Sequence, residues 1–246
     1  AYEANRKDAC TYISAAFHAF DRDHPEVFWL SGVSKIRILT AKVNYSGKTI
    51  EESYIFFTLA DKNGFSLRAP EYAANGAVAQ GIQRRDKAVG TITAAVGNGN
   101  IYQQLVALNR WLTEHNEYNT SADLYQIGNQ PHECLSALEG NIGTNGPVCD
   151  GYARAFKVVC DKLGIPCTLA DGYAKYRSQD NGEAHMWNYV QMKDNNWYGV
   201  DVTWNDPVVP GKGGAKSGYE HERYLLVGAN TNVDGVVFGA SHPVTN

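Results

Sequence analysis

The sequence predicts an α+β fold, in which helices and antiparallel strands occupy separate stretches of the chain. Apolar residues recur at helical spacing in the segments 2–20, 101–115 and 149–163. The segments 184–192 and 197–204 alternate from residue to residue and are rich in aromatic and β-branched side chains, which is typical of strands. A short polar segment separates these two strands, so we expect them to pair as an antiparallel hairpin.

The N-terminal part is predicted to be a helix followed by a hairpin. The helix covers 2–20 and should bury one stripe of side chains. The stripe consists of Ala9, Ile13, Ala16, Phe17 and Phe20. Segments 36–45 and 53–59 have the composition of strands and flank a turn at 46–48.

Two helices are predicted next. Segment 71–96 is rich in alanine, although three glycines weaken its helical propensity. The sequence Asn98-Gly99-Asn100 interrupts the chain, and a strongly periodic helix follows at 101–115. We therefore divide the chain into an α+β region, 1–97, packed on the core, and a catalytic domain, 98–246. No Pro/Ser-rich linker lies between them.

A further helix is predicted from Cys149 to Leu163. Gly146 and Pro147 break the chain just before it, and Gly164 ends it. Cys149 therefore lies at the helix N-terminus, where unpaired N–H groups and the helix dipole favour a thiolate. The same N–H groups can bind an oxyanion that develops on an attacked carbonyl. A strand is expected after this helix, at 168–174.

The hairpin that follows carries an imidazole and a carboxylate. His185 lies on strand 184–192 and Asp201 on strand 197–204. A two-residue turn would place these two side chains on opposite faces. A three-residue loop at 193–195 would place them on one face, within reach of a hydrogen bond. Asn195 tolerates the left-handed conformation that such a loop requires, so we predict the three-residue loop.

Cys149, His185 and Asp201 together form the pattern of a nucleophile, a base and an orienting group. Each has a simpler interpretation when taken alone. A free cysteine is commonly a small buried hydrophobe, a histidine can bind a backbone group in the core, and an aspartate can cap a turn. The combination favours the catalytic interpretation.

The set of segments 148–153, 163–167, 185–188 and 197–204, in this order, resembles the transglutaminase-like superfamily of papain-like thiol enzymes. Two flanking stretches, 23–29 and 102–118, resemble bacterial members of this group. The resemblance implies a papain-like core in which the catalytic helix packs on an antiparallel sheet. It also implies Cys149 as nucleophile, His185 as general base and acid, and Asp201 as the partner of the histidine. It assigns no side chain as an auxiliary oxyanion donor.

The predicted function is cysteine-dependent acyl transfer on protein or peptide carboxamides through a thioester, ending in cross-linking to an amine or in hydrolysis. Trp187, Trp204, Tyr152 and Tyr173 are the candidate substrate-binding residues, although each is as compatible with an aromatic core. No cofactor or metal is expected, because the sequence has neither an EF-hand loop nor paired C-x-x-C motifs. The alternative is a non-enzymatic cell-surface binding module that retains the fold.

The amino-acid composition argues against nucleic acid as a partner and against a membrane-spanning segment. The net charge is −4, from 22 basic and 26 acidic residues, and no Lys/Arg block occurs, which argues against nucleic acid. No apolar run approaches the roughly 18 residues that span a membrane. A protein or peptide substrate is the expected partner. The 15 tyrosines and 24 glycines favour an extracellular or cell-surface location. The five cysteines leave disulfides open.

Overall fold

A computed structural model describes residues 2–61, 69–122, 130–177, 180–209 and 216–245. The helices are α1 Tyr2–Asp23, α2 Ala77–Val96, α3 Ile101–His115, α4 Cys134–Leu138, α5 Cys149–Leu163, α6 Val202–Asn205 and α7 Phe238–Ser241. The strands are β1 Leu30–Tyr45, β2 Lys48–Asp61, β3 Cys167–Ala174, β4 Glu183–Gln191, β5 Trp197–Val200, β6 Leu225–Val227, β7 Asn232–Val233 and β8 Val236–Val237. Short 3-10 turns occupy Ala69–Tyr72, Gln130–His132 and Gly143–Asn145.

The centre of the molecule is an antiparallel sheet in the order β3-β4-β5-β6, with α5 packed on it. The core is apolar because α3 turns one stripe of side chains inward and α5 is buried on all sides between Gly151 and Cys160. Its fully buried members include Leu105, Leu108, Leu112, Phe156, Val159, Val190 and Val200. The predicted α+β fold, with the catalytic helix against an antiparallel sheet, is confirmed.

The predicted bounds of α3 and α5 are confirmed. Asn100 caps α3, because its side chain accepts from the Gln103 N–H while the Gln103 side chain accepts from the Asn100 N–H. Gly164 ends α5 in the left-handed conformation, with φ 70°. The prediction for 71–96 is right only in part. A 3-10 turn covers Ala69–Tyr72, and the helix begins at Ala77 after Gly76.

The N-terminal hairpin is confirmed and is longer than predicted. β1 and β2 pair along their whole length around a two-residue turn at Ser46 and Gly47, both of which have positive φ. The buried stripe of α1 was wrong. Ala9 is buried, but Ile13 and Phe17 are only partly so, and Ala16 and Phe20 are exposed. This helix is held by polar contacts, including the Arg22–Asp171 ion pair at 2.8 Å.

The β4–β5 connection has the predicted three-residue loop at 193–195. The Met192 N–H donates to the Asn196 carbonyl at 3.0 Å, and Asn195 takes the left-handed conformation with φ 62°. The predicted second strand, 197–204, was wrong beyond Val200, because Asp201 there begins helix α6. Its side chain accepts from the Trp204 N–H at 3.0 Å, which satisfies an unpaired donor of the helix N-terminus.

Among the described residues, no helix has the length and apolar character needed to cross a membrane.

Candidate active site

Cys149 is the first residue of α5 and is partly buried. Contacts with the turn Gln130–His132 fix this end of the helix. The Val148 N–H donates to the Pro131 carbonyl at 3.0 Å. The ring of His132 bonds the Asp150 carboxylate at 2.8 Å. Gly151 allows the close approach, because a Cβ there would lie 2.3 Å from the Pro131 oxygen.

His185 and Asp201 meet across the hairpin. Nε2–H of His185 donates to Oδ2 of Asp201 at 2.7 Å. The register pairs Asn188 with Val200, so Asp201 follows at the level of Trp187 and on the face of His185. Cys149 also interacts electrostatically with His185 and contributes to raising its pKa. Because Nε2 is engaged by Asp201, Nδ1 is the ring nitrogen left for the thiol.

The protonation states of this pair follow from competing effects. Burial lowers the pKa of His185, but the charge and hydrogen bond of Asp201, followed by those of Cys149, raise it from 6.5 to about 10. Burial likewise raises the pKa of Asp201, but His185 and then His242 outweigh it and hold the pKa of that carboxyl below its ordinary value. An imidazolium beside an aspartate is therefore the favoured state at neutral pH.

Asp201 is completely buried and satisfies its carboxylate with three donors. Oδ1 accepts from the Trp204 N–H. Oδ2 accepts from His185 and, at 3.0 Å, from Nε2 of His242. His242 follows α7 near the end of the chain, and its side chain is fully buried.

The group His185, Asp201 and His242 also has the residue types of a metal site, with one ligand atom from each within 4.8 Å. The nitrogen–oxygen distances of 2.7 and 3.0 Å are hydrogen-bond distances. A zinc ion at about 2.0–2.1 Å from each atom would require these atoms to lie farther apart. The geometry therefore favours a hydrogen-bonded network.

A groove of about 420 Å³ opens beside this network. Tyr118, Tyr176, His185 and Trp204 line it, and the rings of Tyr176 and Trp204 stack at 4.7 Å. Among the described residues, the lining includes His185 but not Cys149. Burial, and next the nearby Cys149, raise the pKa of Tyr118, so its hydroxyl stays protonated and able to donate.

The structure divides the four candidate substrate-binding residues. Trp204 lines the groove. Trp187 and Tyr152 are fully buried, so these two expectations are corrected: both side chains belong to the core. Tyr152 there hydrogen-bonds the Asp206 carboxylate. Tyr173 is half-exposed on β3 and is not among the lining residues.

Sequence reasoning missed the roles of Tyr118 and His242 in this site. Tyr118 occurs in a stretch without periodic pattern, just after α3. His242 is 41 residues from Asp201 and follows Ala240-Ser241 in a polar C-terminal segment. No local spacing connects either residue to the thiol. Only an alignment or a structure brings them to the site.

The fold and this geometry define a papain-like cysteine–histidine–aspartate arrangement. Residues 90–202 match the family model described as the transglutaminase-like superfamily, so this part of the chain is similar to that family. Kyphoscoliosis peptidase of Mus musculus and of Homo sapiens are each 29% identical to this chain over 107 residues, which is 40% of its length. The matched part spans 15% of the length of these relatives. A solved structure of a TGase is 16% identical, with a TM-score of 0.41, over 80% of this chain and 50% of that one.

Proposed function

We propose that the protein is a thiol acyltransferase that acts on carboxamides of proteins or peptides through a Cys149 thioester. The observation that carries this proposal is the 2.7 Å hydrogen bond from His185 to the buried Asp201, beside Cys149 at the start of α5. A buried carboxylate, a protonated imidazole and a thiol at a helix N-terminus are the parts that covalent acyl transfer needs.

The reaction divides into two steps. The Cys149 thiolate attacks the carboxamide carbonyl, the C–N bond breaks, and His185 gives its proton to the departing ammonia or amine. Water or a primary amine then attacks the thioester while His185 takes a proton, and the thiolate is restored. Asp201 keeps Nε2–H of His185 in place and so directs Nδ1 towards the sulfur.

The oxyanion of each tetrahedral intermediate needs donors beside the thiol. The backbone N–H groups at the start of α5 are one source. The hydroxyl of Tyr118 is a second candidate, since it lines the groove, remains protonated and is electrostatically coupled to Cys149. Trp204 and Tyr176 would then form an aromatic wall for the substrate.

A direct assay tests the proposal. The protein is incubated with a glutaminyl peptide, with and without a fluorescent primary amine, and products are followed by mass spectrometry and ammonia release. Amine incorporation identifies cross-linking activity, and conversion of glutamine to glutamate identifies hydrolysis. Cys149→Ala should abolish either reaction, whereas Cys10→Ala on α1 should not. Activity retained in Cys149→Ala would contradict the proposal, and peptide binding without turnover would favour the binding-module alternative.

An extracellular or cell-surface site of action belongs to the same proposal and is supported by composition alone. Detection of the native chain in surface or culture fractions of its source cells tests it. Recovery only in the cytosolic fraction would contradict it.

A further inference from the structure

His242 occupies an unusual position for a histidine outside the predicted triad. Its side chain is fully buried, and its Nε2 points at the same oxygen, Oδ2 of Asp201, that accepts from His185. One hydrogen bond to a buried carboxylate is enough to orient His185. The second imidazole on the same oxygen of Asp201 therefore needs another explanation.

Among the described residues, three aromatic side chains and one hydroxyl group contact the ring of His242. Phe238 stacks on it at 4.1 Å, and Trp187 and Trp204 contact it edge-on at 5.1 and 4.6 Å. Its Nδ1 bonds Oγ of Ser241 at 2.8 Å. A ring fixed in this way presents Nε2 to Asp201 in one orientation.

The backbone around His242 is fixed as well. The C-terminal segment runs along β3, where the Lys175 N–H donates to the Ser241 carbonyl at 2.8 Å and the Thr245 N–H donates to the Asp171 carbonyl at 3.0 Å. Gly172 makes room for it, because a Cβ there would lie 2.0 Å from the Pro243 oxygen. The tail is therefore built into the sheet that carries His185.

We propose that His242 is a positioning residue of the active site, and that its Nε2–H bond holds Asp201 ionised and oriented while His185 changes its protonation state. In the first step His185 loses its proton to the leaving group, and the attraction between His185 and Asp201 weakens. His185 keeps its Nε2–H bond to Asp201, but a buried carboxylate whose partner has become neutral is costly and tends to take up a proton. The bond from His242 is present in both states and removes that cost.

This inference rests on the proposed function, but its test does not require a substrate. His242→Gln keeps an N–H donor near the position of Nε2, and His242→Met has a similar length and no donor. The rate of Cys149 alkylation by iodoacetamide is measured against pH for both, together with the melting temperature. His115→Met on α3, which removes a ring stacked on Trp111 at 4.4 Å, is the control for losing a packed histidine.

We expect alkylation of Cys149 at pH 7 to slow about tenfold or more in His242→Met, with the profile moved to higher pH, and to stay within about threefold of the wild type in His242→Gln. His115→Met should keep the wild-type profile. Equal rates in all variants would overturn the inference. Equal losses in the Gln and Met variants that track melting temperature would also overturn it, since that result shows packing alone.

A measurement on the wild type keeps the inference testable if His242→Met does not fold. Ring ¹⁵N–¹H correlations should show a hydrogen-bonded Nε2–H on both His185 and His242. A His242 ring protonated only at Nδ1 would overturn the inference. If the wild type turns over no peptide while the variants show the expected alkylation pattern, the result counts against the proposed function and not against this inference.

Discussion

His185 and Asp201 lie on opposite arms of the β4–β5 hairpin and are joined by a 2.7 Å hydrogen bond between Nε2 and Oδ2. The three-residue loop at 193–195 sets this contact, because a change of one residue in its length would rotate one side chain to the other face. The chemistry of the site therefore depends on a short polar loop at the opposite end of the hairpin from His185 and Asp201.

Cys149 should be the most reactive thiol of the protein. Cys149 lies at the N-terminus of α5 beside His185 and is only partly buried, whereas Cys134 and Cys160 are buried. Iodoacetamide at pH 7, with site mapping by mass spectrometry, should label Cys149 about tenfold or more faster than Cys10. His185→Ala should remove this difference. Equal labelling of Cys149 and Cys10 in the wild type would indicate an inactive site.

Asp201→Asn should change how stability depends on pH. In the wild type, the pKa of His185 is raised from 6.5 to about 10, so the stability it contributes is fully present below about pH 6.5 and is lost as pH rises through about 10. Without the carboxylate charge, burial is opposed only by the smaller contribution of Cys149, so this pKa should fall. The melting-temperature deficit of Asp201→Asn should therefore be largest near pH 6 and smallest near pH 10.

The control for this prediction is Asp23→Asn, which removes an exposed aspartate at the end of α1. Its melting temperature should differ from the wild type by a nearly constant amount over the same range. A deficit of Asp201→Asn that is independent of pH would show that the carboxylate does not stabilise a charged His185.

Two helix glycines should respond to alanine in opposite directions. Gly90 of α2 has open space where a Cβ would lie, so Gly90→Ala should stabilise the protein by about 0.5–1 kcal/mol. At Gly151 the Cβ would meet the Pro131 oxygen at 2.3 Å, so Gly151→Ala should destabilise it by about 1–3 kcal/mol. Chemical denaturation measures both values. Because Gly151 is two residues from Cys149, Gly151→Ala should also slow the alkylation of Cys149. Equal stability changes in Gly90→Ala and Gly151→Ala would show that α5 does not pack closely against Pro131.

Tyr118→Phe should separate the chemistry of the thiol from stabilisation of the oxyanion. Loss of one oxyanion donor costs about 10²–10³-fold in kcat. We expect a decrease of that order in kcat for a glutaminyl peptide, with KM and the rate of Cys149 alkylation nearly unchanged. An unchanged kcat would remove Tyr118 from the catalytic groups, and a comparable fall in alkylation would point to a structural role.

The elements that the sequence predicted well are those whose signals are local. Gly146 and Pro147 before α5 and Gly164 after it fix its ends, and Asn100 does the same at the start of α3. The stripe of α1 failed for a different reason. Helical periodicity indicates which residues share a face, but the neighbours that cover that face come from distant parts of the chain.

Two local sequence signals, one for a strand and one for a helix, compete at Asp201. The alternation over 197–204 favours a strand, but the Asp201 side chain accepts from the Trp204 N–H and so caps the start of a helix. The contact with His185 was predicted correctly despite this, because the loop and the paired residues up to Val200 had already set the face. The prediction that Trp187 and Tyr152 bind substrate was less successful. The sequence of an element that is apolar on both faces does not show which aromatic side chains are buried.

The sequence by itself determined the place of Cys149 at a helix N-terminus, the strand that carries His185 and the parity of the hairpin, because each depends on residues within a few positions of one another. Only the tertiary structure decided that Trp187 and Tyr152 are core residues, that Tyr118 lines the groove, and that His242 shares Asp201 with His185. The contact of His242 arises because the C-terminal segment packs along β3. The physical basis of these relationships is burial and hydrogen bonding between distant segments, which no local pattern encodes.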